Sequence, residues 1–438
     1  MDSNEAATGA SSGGVRAAWS LLRRNRDFRR LFLASVISLG GDWFLFVALG
    51  GLVLDVSGAA TSVGILIVAQ ELPIFLATPW AGWLADRLDR RRLMIACDVA
   101  RAGLCAAFLA VGPENLWLGY VLLAALSVFA AVFDPASTAA TPNVVDEEDL
   151  ATANALVGSL WGTMLAVGAA LGGVVSTAFG NDTAFLVDSV SFVLSGLLLT
   201  GVRRPLSEGR GGTPHERIRD ATVETWRYAR KDRRVRALIS VKAGFGLAAG
   251  VLALLPVFAK EVFDGGDVGF GLLMASRGVG ALIGPFLGRR ISGPNQERLL
   301  GAIGLALAVF GLGYTAIALA PTLWAVGLLV LTAHLGGGAQ WMLSTYGLQR
   351  LVPDRIRGRI FAADYALITL SLGASSLVAS WLADEVGPRP AIAMVGGLAL
   401  AWAALWWVLV RDVRRGPILE SRSDDTGVPG EPAAIATE

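Results

Sequence analysis

Between two long apolar runs lies Gly82-Trp83-Leu84-Ala85-Asp86-Arg87-Leu88-Asp89-Arg90-Arg91-Arg92, a short stretch with two carboxylates and a cluster of arginines behind a glycine. The flanking segments, about 61 to 84 and 93 to 112, each approach the roughly 20 apolar residues that a membrane-crossing helix needs. The stretch is therefore read as a tight turn joining two spanning helices. A turn this basic is costly to translocate, so it is expected on the cytoplasmic face.

Moving outward from that turn, ten further apolar stretches reach spanning length: about 30 to 54, 116 to 140, 155 to 179, 183 to 202, 237 to 259, 268 to 288, 299 to 320, 322 to 347, 359 to 383 and 390 to 410. Composition agrees, with 54% hydrophobic residues, a mean hydropathy of +0.57 and 17% charged residues, against roughly 25% charged in a soluble domain. The expected fold is all-α and integral to the membrane, with 12 transmembrane helices. With both termini cytoplasmic, all but five of the 37 Lys and Arg fall in tails and cytoplasmic loops. Arg101, Lys242 and Arg277 fall inside helices, and Lys260 and Arg389 face outside. This bias fixes the expected orientation, and it explains the basic surface without a nucleic-acid partner.

Several classes are excluded on residue grounds. Cys97 and Cys105 lie about 12 Å apart along one helix, too far for a disulfide, and are read as packing residues. The two histidines, His215 and His334, are remote in this topology, no metal-ligand spacing occurs and no nucleophile-base arrangement stands out, so no metal, cofactor or enzymatic activity is expected. Residues 1 to 15 are small and polar, and the first apolar run is too long for a signal-peptide core, so the first helix is expected to serve as its own insertion signal.

The chain divides into a cytoplasmic N-terminal tail (1–28), an N-terminal six-helix bundle (29–202), a basic cytoplasmic linker (203–236), a C-terminal six-helix bundle (237–411) and a tail (412–438). From about Gly416 the tail has the Gly, Ser, Pro and acid content of a disordered end. The linker holds eleven Lys or Arg. Within it Ile218, Thr222, Trp226 and Ala229 recur at helical spacing, which suggests a short helix on the inner membrane surface, with a solvated basic linker as the alternative. A shift of about 202 residues lays Gly82-Trp83-Leu84-Ala85-Asp86-Arg87 over Gly284-Pro285-Phe286-Leu287-Gly288-Arg289, and one of 205 to 207 aligns Gly168 with Gly373 and Gly180 with Gly387. Two repeated halves around a midplane site are a transporter architecture.

The pattern G-x-x-x-D-R-x-x-R-R-R closely resembles the loop between the second and third helices of the major facilitator superfamily. Phe133-Asp134-Pro135-Ala136 through Thr141-Pro142-Asn143-Val144-Val145, and Asp149-Leu150-Ala151-Thr152-Ala153-Asn154, are similar to the branch containing the enterobactin exporter and macrolide efflux proteins. Arg227-Tyr228-Ala229-Arg230-Lys231-Asp232 and Val352-Pro353-Asp354-Arg355-Ile356-Arg357-Gly358-Arg359 carry the same resemblance. It implies the major facilitator fold, two pseudo-symmetric bundles in the bacterial plasma (inner) membrane, functional as a monomer. It also implies a cytoplasmic latch in which Gly82 permits close approach, Asp86 faces the start of helix eleven near Arg359, and Arg87, Arg90 and Arg91 engage carboxylates or lipid phosphates. For the arginines, the alternative is a purely topological role. Gly168-Ala169-Ala170-Leu171-Gly172-Gly173 is similar to the G-P-x-x-G-G element of drug/proton antiporters, with Ala169 in place of proline; close helix packing alone also explains Gly168, Gly172 and Gly173. Helix four contains no arginine, so coupling machinery that relies on one there must be arranged differently.

Charges within spans usually face a cavity or a partner and mark a pathway. Asp42, about twelve residues into helix one and directly after Gly40 and Gly41, is the first choice for a proton site, the glycines loosening the helix to admit water. Glu71 in helix two is the second choice. For both, a permanently paired carboxylate is the alternative. Arg277 and His334 also lie near mid-depth: Arg277, always charged, would neutralise a buried carboxylate or attract an anionic substrate group, and His334 either titrates or packs. With Trp43 and Gln340 they form the candidate substrate cavity. Asp98 and Arg101 are expected to pair, Lys242 to snorkel to the inner surface, and Asp134, Asp188 and Asp364 to sit near helix ends.

The expected activity is proton-coupled secondary active export of an amphipathic small molecule, a drug, antibiotic or siderophore, by alternating access. Its partners would be the small-molecule substrate, protons and membrane lipids. A proton-coupled importer, a lipid flippase and a non-transporting scaffold or sensor are the alternatives.

Overall fold

The computed structural model describes residues 16–207, 227–292 and 296–414, apart from the side chains of Pro79, Gly82, Trp83, Ala85, Asp86, Gln296, Asp354, Arg355 and Gly358. The N-terminal tail before residue 16, the linker positions Ile218, Thr222 and Trp226, and the tail from Gly416 lie outside the described residues; Ala229 falls in a helical segment at 227–231. Among the described residues regular structure is entirely helical, and twelve helices are long and apolar enough to span a membrane. We number them α1 (Arg26–Ser57), α2 (Ala60–Arg87), α3 (Arg90–Ala107), α4 (Leu116–Val144), α5 (Leu150–Phe179) and α6 (Asn181–Thr200). The second half follows with α7 (Arg233–Val262), α8 (Gly266–Ser292), α9 (Gln296–Ile317), α10 (Leu323–Leu351), α11 (Asp354–Val386) and α12 (Pro388–Leu409).

Local chemistry sets the helix ends. Asn25 accepts from the Phe28 N–H to open α1, Asp89 accepts from the Arg92 N–H to open α3, and Thr322 from the Ala325 N–H to open α10, each satisfying a backbone donor that a helix start leaves free. Asp89 of the basic loop is thus a helix cap. The repeat suspected from Gly180 and Gly387 is visible in the backbone: they hold φ/ψ of 83°/163° and 90°/158°, and open α6 and α12 respectively. Gly58 and Gly266, at φ 63° and 57°, form a second matched pair at the turns after α1 and α7. Such conformations are cheap only without a Cβ. Helix α7 is irregular, tightening into 3₁₀ geometry over Ala249–Leu254 and widening to a π turn at Phe258–Val262. Pro256 lacks an N–H, and Gly250 lies so close to the Ser375 carbonyl of α11 that a side chain there would collide with it.

The two bundles meet mainly along α5 with α8 and α2 with α11. Their cores show which end is closed. At the end away from the termini one hydrophobic core runs through both bundles, joining Leu45, Leu49 and Val63 to Leu254, Phe258 and Phe270. At the end carrying the termini the cores are separate, one around Phe28, Met94 and Phe133 and the other around Leu238, Leu300 and Trp406. Polar contacts reinforce the closure. Asp384 of α11 caps α2, accepting from the Ala60 and Thr61 N–H groups at 2.7 and 2.9 Å. Lys260 of α7 bridges Asp55 of α1 (2.6 Å) and Asp267 of α8 (2.8 Å), and Ser176 of α5 donates to Asp267 at 2.9 Å. A cleft therefore opens between the bundles toward the end that carries the termini.

Candidate functional site

One wall of the cleft holds an unusual concentration of acid. Asp98 and Arg101, one turn apart on α3, form a buried ion pair at 2.7 Å, as i, i+3 spacing expects. Ser195 of α6 donates to the second Asp98 oxygen at 2.6 Å. The Arg101 guanidinium is sandwiched between Phe133 (4.5 Å) and Phe192 (4.2 Å), an arrangement that holds a cation on two ring faces. Asp42, Asp98 and Asp134 all act on this one guanidinium. The arginine buried in this cluster thus stands on α3.

Asp188 belongs to the same cluster. It is fully buried, accepts from Cys105 Sγ and Ser191 Oγ, each at 3.1 Å, and interacts electrostatically with Asp42. Cys105 packs in the buried core as expected, and its thiol also meets Asp188; the expectation of a helix-end role for Asp188 is corrected. Gly41 supplies the reason: a Cβ there would run into Asp188 and Ser191. Helix α1 continues unbroken through Gly40 and Gly41, so these glycines admit a neighbouring carboxylate and do not unwind the helix. Asp42 Oδ1 is shut away with no hydrogen-bond partner among the described residues. Asp134 is exposed to the cleft, where Tyr365 of the opposite bundle feels its charge.

Across the cleft centre, Arg277 of α8 reaches toward two indoles of the other bundle, 5.3 Å from the Trp161 ring and 6.0 Å from the Trp43 ring. Trp43 and Trp161 meet edge to face at 6.2 Å. Arg277 Nε donates to His334 Nε2 at 3.3 Å, and Tyr314 OH lies 3.2 Å from His334 Nδ1. A ring nitrogen that accepts from a guanidinium carries no proton, so His334 is the neutral Nδ1–H tautomer. His334 is buried behind Arg277 and orients it; it does not line the cleft. Glu71 of α2 is within electrostatic reach of Arg277, yet forms no hydrogen bond or ion pair among the described residues.

The C-terminal bundle carries a buried pair of its own. Lys242 donates to Asp364 and, at 2.9 Å, to Thr345, with Nζ 5.0 Å from the Trp341 ring. The expectation that Lys242 snorkels is corrected: α7 begins at Arg233, not near 237, which sets Lys242 about one turn deeper. Asp364 likewise lies well inside α11, which starts at Asp354. Gln340 is wholly buried and both amide atoms are without a partner among the described residues, so it does not line the cavity as expected. Its neighbour Trp341, about 100° around the helix, is the one 36% exposed.

The basic loop binds its own bundle. Arg90 is buried and donates to the carbonyls of Ala139 (2.9 Å) and Leu206 (3.2 Å), and Arg91 donates to the Arg204 carbonyl at 2.9 Å. Arg90 has a further partner besides these carbonyls. The side chains of Gly82 and Asp86 lie outside those described; Arg87 and Arg359 both have partners. The glycine element of α5 serves two faces. Gly168 and Gly172 admit Gly40, Trp43 and Phe44 of α1, whereas Gly173 abuts Asp267 and Gly271 of α8. Gly162, Ala166 and Ala169 continue that second face against Leu282, Gly278 and Gly271, so small residues let α5 and α8 cross at backbone distance.

The sequence model described as transmembrane secretion effector matches residues 16–425. The chain is 28% identical over 308 residues to the uncharacterized MFS-type transporter YkuC of Bacillus subtilis (strain 168), covering 67% of this chain and 71% of that protein. It is 23% identical over 394 residues to macrolide efflux protein A of Streptococcus pyogenes (89% and 96% covered). It is 26% identical over 380 residues to the multidrug efflux pump Tap of Mycolicibacterium fortuitum (82% and 89%). Among solved structures, a bacterial homologue of the human lysosomal transporter Spinster, inward-facing and unoccupied, superposes with a TM-score of 0.70 at 13% identity, covering 90% of this chain and 99% of that one. A POT family transporter in complex with 5-aminolevulinic acid gives 0.73 at 12% identity, with 90% and 97% covered. At these identities the structural likeness speaks to the fold alone.

Proposed function

The chain belongs to the transmembrane secretion effector family of major facilitator transporters, and from that premise we propose that it is a proton-coupled exporter of amphipathic small molecules. It sits in the bacterial plasma membrane with both termini in the cytoplasm, so the cleft described above opens inward to load substrate. The efflux activity named for its relatives, macrolide efflux protein A and the multidrug efflux pump Tap, supports the direction.

The observation that carries the coupling is the cluster of Asp42, Asp98 and Asp188 about a single guanidinium, Arg101. Were all three ionised, two negative charges would lie uncompensated where each buried ion costs several kcal/mol. The cluster therefore takes up protons when water reaches it and returns them when the opposite side opens. Asp42, whose Oδ1 has no partner among the described residues, is the entry group; Asp188 shares its charge, and Glu71 answers to Arg277 on the far wall. Trp43 and Trp161 offer the aromatic surface for substrate. The driving force suffices: one charge crossing 100 mV releases about 2.3 kcal/mol, enough at about 1.4 kcal/mol per decade for a gradient of roughly 40-fold.

Direction is tested in cells. Those lacking the protein are expected to accumulate a transported drug several-fold above those expressing it, and the Asp42→Asn variant to resemble the deletion. Higher accumulation in the expressing cells would mean import.

A further inference from the structure

Of the cations inside the bundles, Arg101, Lys242 and Lys260 are each ion-paired. Arg277 is not: among the described residues it makes one hydrogen bond, from Nε to His334, and no ion pair. Its remaining N–H groups, on a fork suited to planar oxyanions, have no partner there. The residue is half-buried.

The surroundings are arranged to hold that charge and leave it unneutralised. His334, backed by Tyr314, fixes the Nε edge and so aims the opposite edge. Trp161 and Trp43 present ring faces at 5.3 and 6.0 Å, which stabilise a cation without cancelling its charge. Glu71, the carboxylate within reach, stops short of an ion pair. A cationic ligand at this point would meet like charge, whereas a carboxylate, sulfonate or phenolate would complete a charge-assisted fork.

Resting on the reading of this cleft as a transport pathway, we propose that Arg277 receives the anionic head group of the substrate, and that the transported molecules are aromatic or amphipathic organic anions whose rings lie against Trp43 and Trp161. Antiport leaves the aspartates of the facing wall deprotonated while substrate is bound, but their charge acts on Arg101, whereas Arg277 feels Tyr314 and Glu71.

The test uses the full-length protein in lipid nanodiscs and three ligands of nearly one shape: 1-naphthaleneacetate, its amide, and 2-(1-naphthyl)ethylamine, titrated calorimetrically at neutral pH. The acid should bind about tenfold or more tightly than the amide, and the amine most weakly of the three. Arg277→Gln should lower the acid to the level of the amide and leave the amide unchanged, with Arg277→Lys between. The ranking on the unsubstituted protein needs no variant to fold. Equal binding of acid and amide, preference for the amine, or no binding of the acid would overturn the assignment. Gradient-driven efflux of the cation ethidium, measured alongside, separates the two readings: efflux without acid preference overturns the Arg277 assignment and leaves proton-coupled export standing. Acid preference without gradient-driven movement of ethidium or of the acid does the reverse.

Discussion

A charge inside an apolar run announces itself, which is why Asp42, Glu71 and Arg277 were legible from sequence. Depth along one helix does not reveal which remote helix supplies the partner. Asp188 was hidden because its neighbours come from α1 and α3, and its one signal was Gly41, whose missing Cβ makes room for it. Lys242 was misread because four residues of Arg-rich helix start, Arg233 to Arg236, looked like linker. Gln340 was misread because one residue step turns a side chain from cleft to core. Two expectations follow. Lys242→Met strands Asp364 and should destabilise by about 3–5 kcal/mol, visible in thermal unfolding in detergent, and adding Asp364→Leu should recover most of that loss; an unshifted single variant would contradict the buried pair. Asp188→Asn should slow gradient-driven transport at least tenfold in a vesicle assay while Cys105→Ser, which keeps a donor to Asp188, stays near wild type.

At the scale of elements, hydropathy located the twelve helices, and the repeat of Gly180 and Gly387 was readable because only glycine adopts their backbone cheaply. The division of the α5 glycines between α1 and α8 was not readable, since a one-dimensional motif carries no azimuth until both partners are known. Two contacts join the halves directly. Asp384→Ala removes the cap on α2, a loss of about 1 kcal/mol, and should shift the balance roughly fivefold away from the closed state at that end. Spin-label distances across the α1–α2 and α11–α12 turns should lengthen accordingly, and an unaltered distribution would show that the cap does not hold the gate. Gly278→Leu would drive a side chain into the Ala166 backbone and should abolish transport without loss of membrane insertion. Transport by that variant at wild-type rates would mean that α5 and α8 need not approach.

For the whole molecule, the proposed alternating access reads the shared core at one end and the split cores at the other as one extreme of a rocking motion about the α5–α8 and α2–α11 seams. Bundles that rock as rigid bodies expose the cleft to each side in turn, and the acid cluster lies buried within the N-terminal bundle, with Asp98 and Asp188 wholly enclosed. The most direct measurement is transport into proteoliposomes under an imposed pH gradient, reversed in sign between runs, using cationic drugs, a macrolide, a catecholate siderophore and an aromatic acid, with Asp42→Asn in parallel. Substrate should move against the proton flux, change direction when the gradient is reversed, and lose its gradient dependence in Asp42→Asn. Movement indifferent to the gradient, or a gradient response intact in Asp42→Asn, would contradict proton coupling through this cluster.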